Sequence, residues 1–286
     1  MANNALLMLS QQFAQVYKIA CLAEIEALKP GNVHIFADGH GMQVQDFIQS
    51  AGASSIAIAQ ADLALGERIY RSVEATWEVV DCNTNLGIIL LCAPIIQATL
   101  LQTTTNFRHQ LAQVLSNTTQ TDAEWVFKAI QMAKPAGLGH VKMHDVHNAA
   151  DCTLLEAMEA CADSDFIGQQ YANRFLNVFE EGLPLYQEVL LRWERPAWAT
   201  SALYLYWLSH YPDSHIVRKY GLDTAKQIQQ ESLTHYTAFH ALDNPKHYLP
   251  HLFKFDESLK ARAINPGTSA DLTVVVLLLQ NFAEIG

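Results

Sequence analysis

Charge is scarce in this 286-residue chain: Asp, Glu, Lys and Arg make up only 16% of it, and basic residues form no run. The 18 Lys and Arg stand against 29 Asp and Glu, a formal net charge of −11, so no nucleic-acid partner is expected. If such a chain handles phosphates, it needs a local basic cluster, a helix N-terminus or a divalent cation. Turn-forming residues are also few. The 13 Gly and 9 Pro fall below the usual shares of about 7% and 5%, too little punctuation for a sandwich or a doubly wound sheet, which favours long helices. The five cysteines (Cys21, Cys82, Cys92, Cys152, Cys161) are odd in number and contain no C-x-x-C pair. They read as buried thiols in a reducing compartment, and neither as a disulfide framework nor as a zinc site. The first fifteen residues lack a basic segment and a small-residue cleavage site, so they do not read as a signal peptide. The longest apolar stretch, Leu86 to Ile96, is broken at Pro94 and too short to span a bilayer. Together these absences predict a soluble, cytoplasmic protein without a membrane partner.

What is present is helical spacing. Leu6, Leu9, Phe13, Val16, Tyr17 and Ala20 share one face of a first helix that runs to Glu26 and is stopped by Lys29-Pro30-Gly31. Gln45–Leu65 reads as a helix rich in small residues, and Leu86–Leu101, apolar almost all round, as a central core helix. Further helices are predicted over Asp122–Met132, Asn148–Ala162, Asp165–Phe179, Pro184–Leu191, Trp198–Ser209, Thr224–Phe239 and Thr268–Phe282. Val274-Val275-Val276 has strand character, but no other segment could pair with it. The expected fold is all-α, a single multi-helix domain over residues 1–286 with a polar site between helices.

Four polar segments interrupt the helices, and each has a bland reading beside a functional one. Glu24 to His34 (EIEALKPGNVH) is an ordinary helix stop, or a carboxylate one turn before a phosphate-binding lysine. Asp81 to Gly87 (DCNTNLG) offers Thr84 or Asn85 as N-cap of the most apolar helix, or an amide-lined helix start for an anion or a ribose. Asn265 to Leu272 (NPGTSADL) resembles a capping box of Thr268 with Asp271, or a glycine that exposes backbone N–H groups to phosphate. Gly137-Leu138-Gly139 with Asp145-Val146-His147, and Asp213 to Gly221, form the fourth group. If Asp213 caps a short helix, Arg218 and Lys219 fall near its end and complement the dipole; the sharper reading makes this basic pair a phosphate clamp. The twelve His residues show neither H-E-x-x-H nor another metal-ligand spacing, and neither G-x-S-x-G nor a Walker loop occurs.

Taken in order, Glu24, Lys29-Pro30-Gly31-Asn32-Val33, Asp46-Phe47, Ser50-Ala51, Asn83-Thr84-Asn85-Leu86-Gly87, Asp213 with Arg218-Lys219-Tyr220-Gly221, and Asn265 to Leu272 resemble the triphosphoribosyl-dephospho-CoA synthase family. The resemblance runs from about residue 16 to 280 and implies an all-helical fold. It implies ATP and 3′-dephospho-CoA as substrates, release of adenine, and Mg²⁺ as cofactor. Residue by residue it points to Glu24, Lys29, Asn32, Asp46, Asn83, Asn85 and Asp271. The chain departs from the citrate- and malonate-lyase branch, which reads Asn-Thr-His-Lys-Gly where this sequence has Asn83-Thr84-Asn85-Leu86-Gly87. It is closer to the branch of archaea and methylotrophic bacteria, many of which make tetrahydromethanopterin, so a step in one-carbon cofactor synthesis is the alternative.

Base displacement at a ribosyl C1 passes through an oxocarbenium-like state, which suits Glu24 or Asp46 as charge stabiliser or base. Asn32, Asn83, Thr84 and Asn85 would hold ribose and base edges. Lys29, Arg218, Lys219 and the backbone at Gly267 would hold the triphosphate, with Mg²⁺ on Asp271 or Asp145. A non-catalytic nucleotide- or pterin-binding protein is the reading from another class, and a homodimer is the base-rate expectation for the assembly.

Overall fold

Leu86–Ile96 shows how directly this sequence dictates its core. A computed structural model of the chain describes residues 2–101, 106–140 and 143–285. In it the stretch forms α4 (Leu86–Leu100), and Ile89, Leu91, Cys92, Ala93, Ile95 and Ile96 have no exposed surface. Pro94 lies inside that helix and cannot donate to the carbonyl four residues earlier. That carbonyl, Leu90 O, instead accepts the Tyr171 hydroxyl at 2.6 Å.

The other helices are α1 (Ala2–Glu26), α2 (Val44–Ile58), α3 (Leu65–Val80), α5 (Phe107–Ser116), α6 (Gln120–Ala133), α7 (Leu154–Cys161) and α8 (Phe166–Ala172). They continue with α9 (Leu183–Trp193), α10 (Pro196–His210), α11 (Ser214–Tyr220), α12 (Leu222–His240), α13 (Leu249–Ala261) and α14 (Gly267–Ile285). Among the described residues the only β structure is two isolated bridges, His34–Ala37 and Gly39–Met42, so the all-α expectation holds. Val274, Val275 and Val276 are wholly buried inside α14. Among the described residues no helix is long and apolar enough to cross a membrane. The five cysteines are free thiols; Cys21, Cys92 and Cys152 are buried, whereas Cys82 and Cys161 are half-buried.

The chain groups into two compact units. One comprises Met1–Ile19 and Ile48–Leu176, the other Ala20–Phe47 and Asn177–Gly286. In the first, α3 packs on α6 and α4, and α7 packs on α8. In the second, α10 is flanked by α9, α12 and α14, with α11 against α12.

Several predicted boundaries move. The helix expected over Gln45–Leu65 ends at Ile58, because Arg68 of α3 reaches back to it. The Arg68 guanidinium, 1% exposed, donates to the carbonyls of Ile58 (2.7 Å), Gln60 (2.6 Å) and Leu63 (3.1 Å). It thereby satisfies groups that a helix end would otherwise leave orphaned. The helix expected from Asn148 starts only at Leu154, where Thr153 and Glu156 form a capping box. The one expected to reach Phe179 stops at Ala172, and Arg174 and Phe175 follow with positive φ. Helices α3, α5 and α13 are absent from the sequence-based expectation. The buried face of α3 runs regularly through Leu65, Ile69, Val73 and Thr76 and is legible as a helix, whereas Gln110 in α5 and Asp256 in α13 interrupt their apolar stripes.

Candidate active site

The Pro-Gly turn after α1 carries the densest polar arrangement of the second unit. Lys29 has no exposed surface, and its ammonium meets three acceptors: the Glu24 carboxylate, Asn32 Oδ1 (3.1 Å) and Val33 O (2.7 Å). Glu24, on the last turn of α1, is itself 3% exposed. Asn32 Nδ2 donates to Asn265 Oδ1 at 2.8 Å, which joins the segment at residue 29 to the one before α14. The ordinary helix stop is therefore not the whole account, since a surface lysine would serve for that. Burial pushes the Glu24 carboxyl up and pulls the Lys29 ammonium down, and the charge of each works against the shift of the other.

The turn is held from three sides. Tyr204 Oη donates to Pro30 O (2.7 Å), the Gly31 N–H donates to Asp256 Oδ1 (2.8 Å), and His40 Nε2 lies 2.7 Å from Gly31 O. Gly31 has φ +84°, and a Cβ there would come within 2.9 Å of Leu259 and Pro266, so only glycine fits. Asp256 also receives Lys260 Nζ at 3.1 Å and faces His34 Nε2 at 3.4 Å. Burial raises its pKa, but His34, the Gly31 N–H and Lys260 together bring it below the usual carboxylate value. His34, His40, Tyr204, Asp256 and Lys260 belong to this cluster. His34 ends the Glu24 to His34 segment but has no role assigned to it from sequence, and Tyr204, Asp256 and Lys260 carry no motif signal.

Asp213 ties α11 to α14. One carboxylate oxygen accepts the N–H groups of His215 (3.0 Å) and Ile216 (3.2 Å), and the other accepts the Ser269 N–H and hydroxyl, both at 2.8 Å. The Thr268–Asp271 capping box gives way to this arrangement. Helix α14 begins at Gly267, which places Thr268 inside its first turn, and the Thr268 hydroxyl accepts the His215 N–H at 3.2 Å. A Cβ on Gly267 would sit 2.5 Å from His215 Nδ1, so this glycine admits the ring. Arg218 and Lys219 are exposed in the last turn of α11, where cations complement the helix dipole. Asp271, half-buried in the first turn of α14, favours the charged form of Lys29.

His215 yields a pH prediction. Burial, with Arg218, Lys219 and His40 nearby, pulls its pKa from 6.5 down to about 4. The folded state thus keeps this ring neutral while the unfolded chain protonates it. The resulting stability is complete above pH 6.5 and is lost as pH falls towards 4, about 3 kcal/mol in all. Thermal unfolding of His215→Gln between pH 4 and 7 should lose that part of the acid slope.

Asp46 is half-buried, and its Oδ2 accepts the Gln43 N–H at 2.7 Å, the N3 half of a capping box for α2. Asn83, Thr84, Asn85 and Asp145 lie in the first unit. There Asn85 precedes α4 without capping it. Its amide donates to Ser54 Oγ (3.2 Å), Thr84 Oγ1 pairs with Ser50 Oγ (2.5 Å), and Asn83 Oδ1 takes the Leu86 N–H (3.2 Å). Ser50-Ala51 and Asn83 to Gly87 are thereby joined in one buried hydroxyl–amide network, to which Tyr17 Oη adds a contact with Ser54 Oγ at 3.3 Å. Asp145 sits beside His140 and His147.

The family model of CitG, ATP:dephospho-CoA triphosphoribosyl transferase, matches residues 10–285, and the chain belongs to that family. It is accordingly an enzyme of the transferase class, and the family chemistry is triphosphoribosyl transfer from ATP. A crystal structure from Archaeoglobus fulgidus, described there as a proposed triphosphoribosyl-dephospho-CoA synthase, is similar in fold with a TM-score of 0.62. The likeness covers 80% of this chain and 96% of that one at 22% identity. No curated protein sequence matches the chain.

Proposed function

We propose that the protein transfers the triphosphoribosyl group of ATP to a hydroxyl of a 3′-dephospho-CoA-like acceptor and releases adenine. The observation that carries this reading is the buried Glu24–Lys29–Asn32 cluster, set at a Pro-Gly turn within a transferase family. In the proposed step the acceptor oxygen bonds to C1′ as the C1′–N9 bond breaks. The hydroxyl proton passes to the Glu24 carboxylate, and N9 of the leaving adenine takes up a proton. Glu24 also faces the positive charge that develops at C1′, the role carboxylates play in glycoside cleavage.

Lys29 acts by position, because its three N–H groups are already engaged and it holds Glu24 and Asn32 in place. Asn32 supplies its amide to the ribose, and Asp46 serves the start of α2 in addition to any part in the chemistry. Asn83, Thr84 and Asn85 are assigned to polar edges of the substrates. Arg218, Lys219 and the backbone at Gly267, at the start of a 19-residue helix, are assigned to the triphosphate. Asp271 is a hard oxygen donor on the same helix turn, which suits Mg²⁺ together with water and phosphate oxygens. When bound there, Mg²⁺ supplies positive charge against the triphosphate. Asp145, flanked by imidazoles, offers a donor set less suited to that ion. Asn85 and Leu86 stand where the lyase branch carries His and Lys, and a related nucleotide-dependent step in one-carbon cofactor synthesis is the second reading.

Glu24→Gln tests the assignment of the carboxylate. Its amide oxygen still accepts from Lys29 but leaves that buried charge uncompensated. Circular dichroism therefore first checks the fold, and in the folded variant ATP binding measured by calorimetry should persist. Acceptor-dependent adenine release should fall by roughly 100-fold or more. Unchanged release would remove Glu24 from the chemistry.

A further inference from the structure

Between α6 and α7, from Lys134 to Thr153, the described residues contain no helix. A connection of that length inside a compact unit is uncommon and is usually functional. Asp145 is its anchor, 6% exposed between the half-buried His144 and Val146, with Met143, His147, Asn148 and Ala149 exposed. Asp145 Oδ2 lies 3.0 Å from His140 Nδ1, and Oδ1 lies 2.7 Å from His147 Nδ1 and 2.9 Å from the His147 N–H. The two rings converge without stacking, their centroids 4.5 Å apart at a tilt of 44°. One ligand atom from each of the three residues lies within 4.8 Å of the others.

We propose that His140, Asp145 and His147 bind a divalent transition-metal ion of the zinc class. Metal–ligand bonds of about 2.0–2.2 Å in a tetrahedral site separate the donors by roughly 3.3–3.5 Å. From the observed Nδ1–carboxylate distances of 3.0 and 2.7 Å, the donors need to open by roughly 0.3–0.8 Å to reach that. Two imidazoles and one carboxylate select zinc-class ions over Mg²⁺ or Ca²⁺, which prefer all-oxygen sets. With 82% of its side chain exposed, His140 leaves the outer face open, so water or a ligand completes the coordination. The bound ion ties two imidazoles to a buried carboxylate, and this role is independent of the proposed transfer reaction.

The spacing His140-x4-Asp145-x-His147 matches no helical face, which is why sequence periodicity passes over it. A second trio, His144, Asp151 and Cys152, lies in the same loop. Its His144–Asp151 pair is also close, at 2.7 Å, but Asp151 is 73% exposed and screened by water. The buried carboxylate of Asp145 makes the first trio the stronger site.

Titration of the full chain with Co²⁺, followed by visible absorption and competed with Zn²⁺, tests the proposal. The expected result is one ion per chain without a sulfur-to-cobalt charge-transfer band. In His140→Gln and in His147→Gln the affinity should drop by at least about tenfold, and circular dichroism of the metal-free variants should match the wild type. Wild-type affinity in both variants, or no saturable binding to the wild type, would overturn it. A thiolate charge-transfer band would also overturn it, because it would place the ion on a cysteine, which the first trio lacks.

Discussion

Lys29→Met is expected to destabilise the protein by about 3–5 kcal/mol, the cost of removing one partner from a buried ion pair. The methionine fills the space but strands the Glu24 carboxylate, Asn32 Oδ1 and Val33 O, all of which the ammonium satisfies. Adding Glu24→Gln to Lys29→Met should recover part of the loss, since the uncompensated charge is gone while two carbonyl acceptors still lack a donor. Urea denaturation at pH 7 measures both. A loss below about 1 kcal/mol for the single variant would mean that water already reaches the pair, and the description of Lys29 as a buried positioning residue would then fail.

Asp213→Ala carries the second large effect, about 3–4 kcal/mol. It deletes a carboxylate, 4% exposed, that accepts four hydrogen bonds at two helix starts. Asp213→Asn should cost less, about 2 kcal/mol, because one oxygen survives while the new NH₂ meets N–H donors on the other side. The two changes should also act on ligand binding. With Ser269 released, the first turn of α14 loses the restraint that fixes Gly267 and Asp271, and ATP affinity measured by calorimetry should weaken in the same order. If Asp213→Ala unfolds at the wild-type temperature, Asp213 does not hold the two helices together.

The parts of this protein that sequence reveals are those in which one physical rule dominates. Helices α4, α10 and α14 are apolar almost all round and could only be buried, so their existence and extent were plain. Where two rules compete, the reading fails. A lysine and an arginine are expected at the surface, yet Lys29 and Arg68 are buried because enough acceptors converge on each. Those acceptors come from turns whose shape periodicity does not describe. Asn85 illustrates a second kind of failure. Its position before α4 makes it a cap by local rules, but its partner is Ser54, 31 residues away. The motif resemblance drew attention to Glu24, Lys29 and Asn32 without revealing why they belong together. Their common ammonium–carboxylate–amide contact is visible only in three dimensions, as are Asp256 and Lys260 on a helix that carried no motif.

The central claim is triphosphoribosyl transfer with loss of adenine, and the most direct test is to incubate the pure protein with ATP, Mg²⁺ and 3′-dephospho-CoA and separate the products by chromatography. The account predicts free adenine that appears only when dephospho-CoA is present, with matching growth of an acceptor that carries the triphosphoribosyl group. No adenine from a protein that still binds ATP in a thermal-shift control would contradict it.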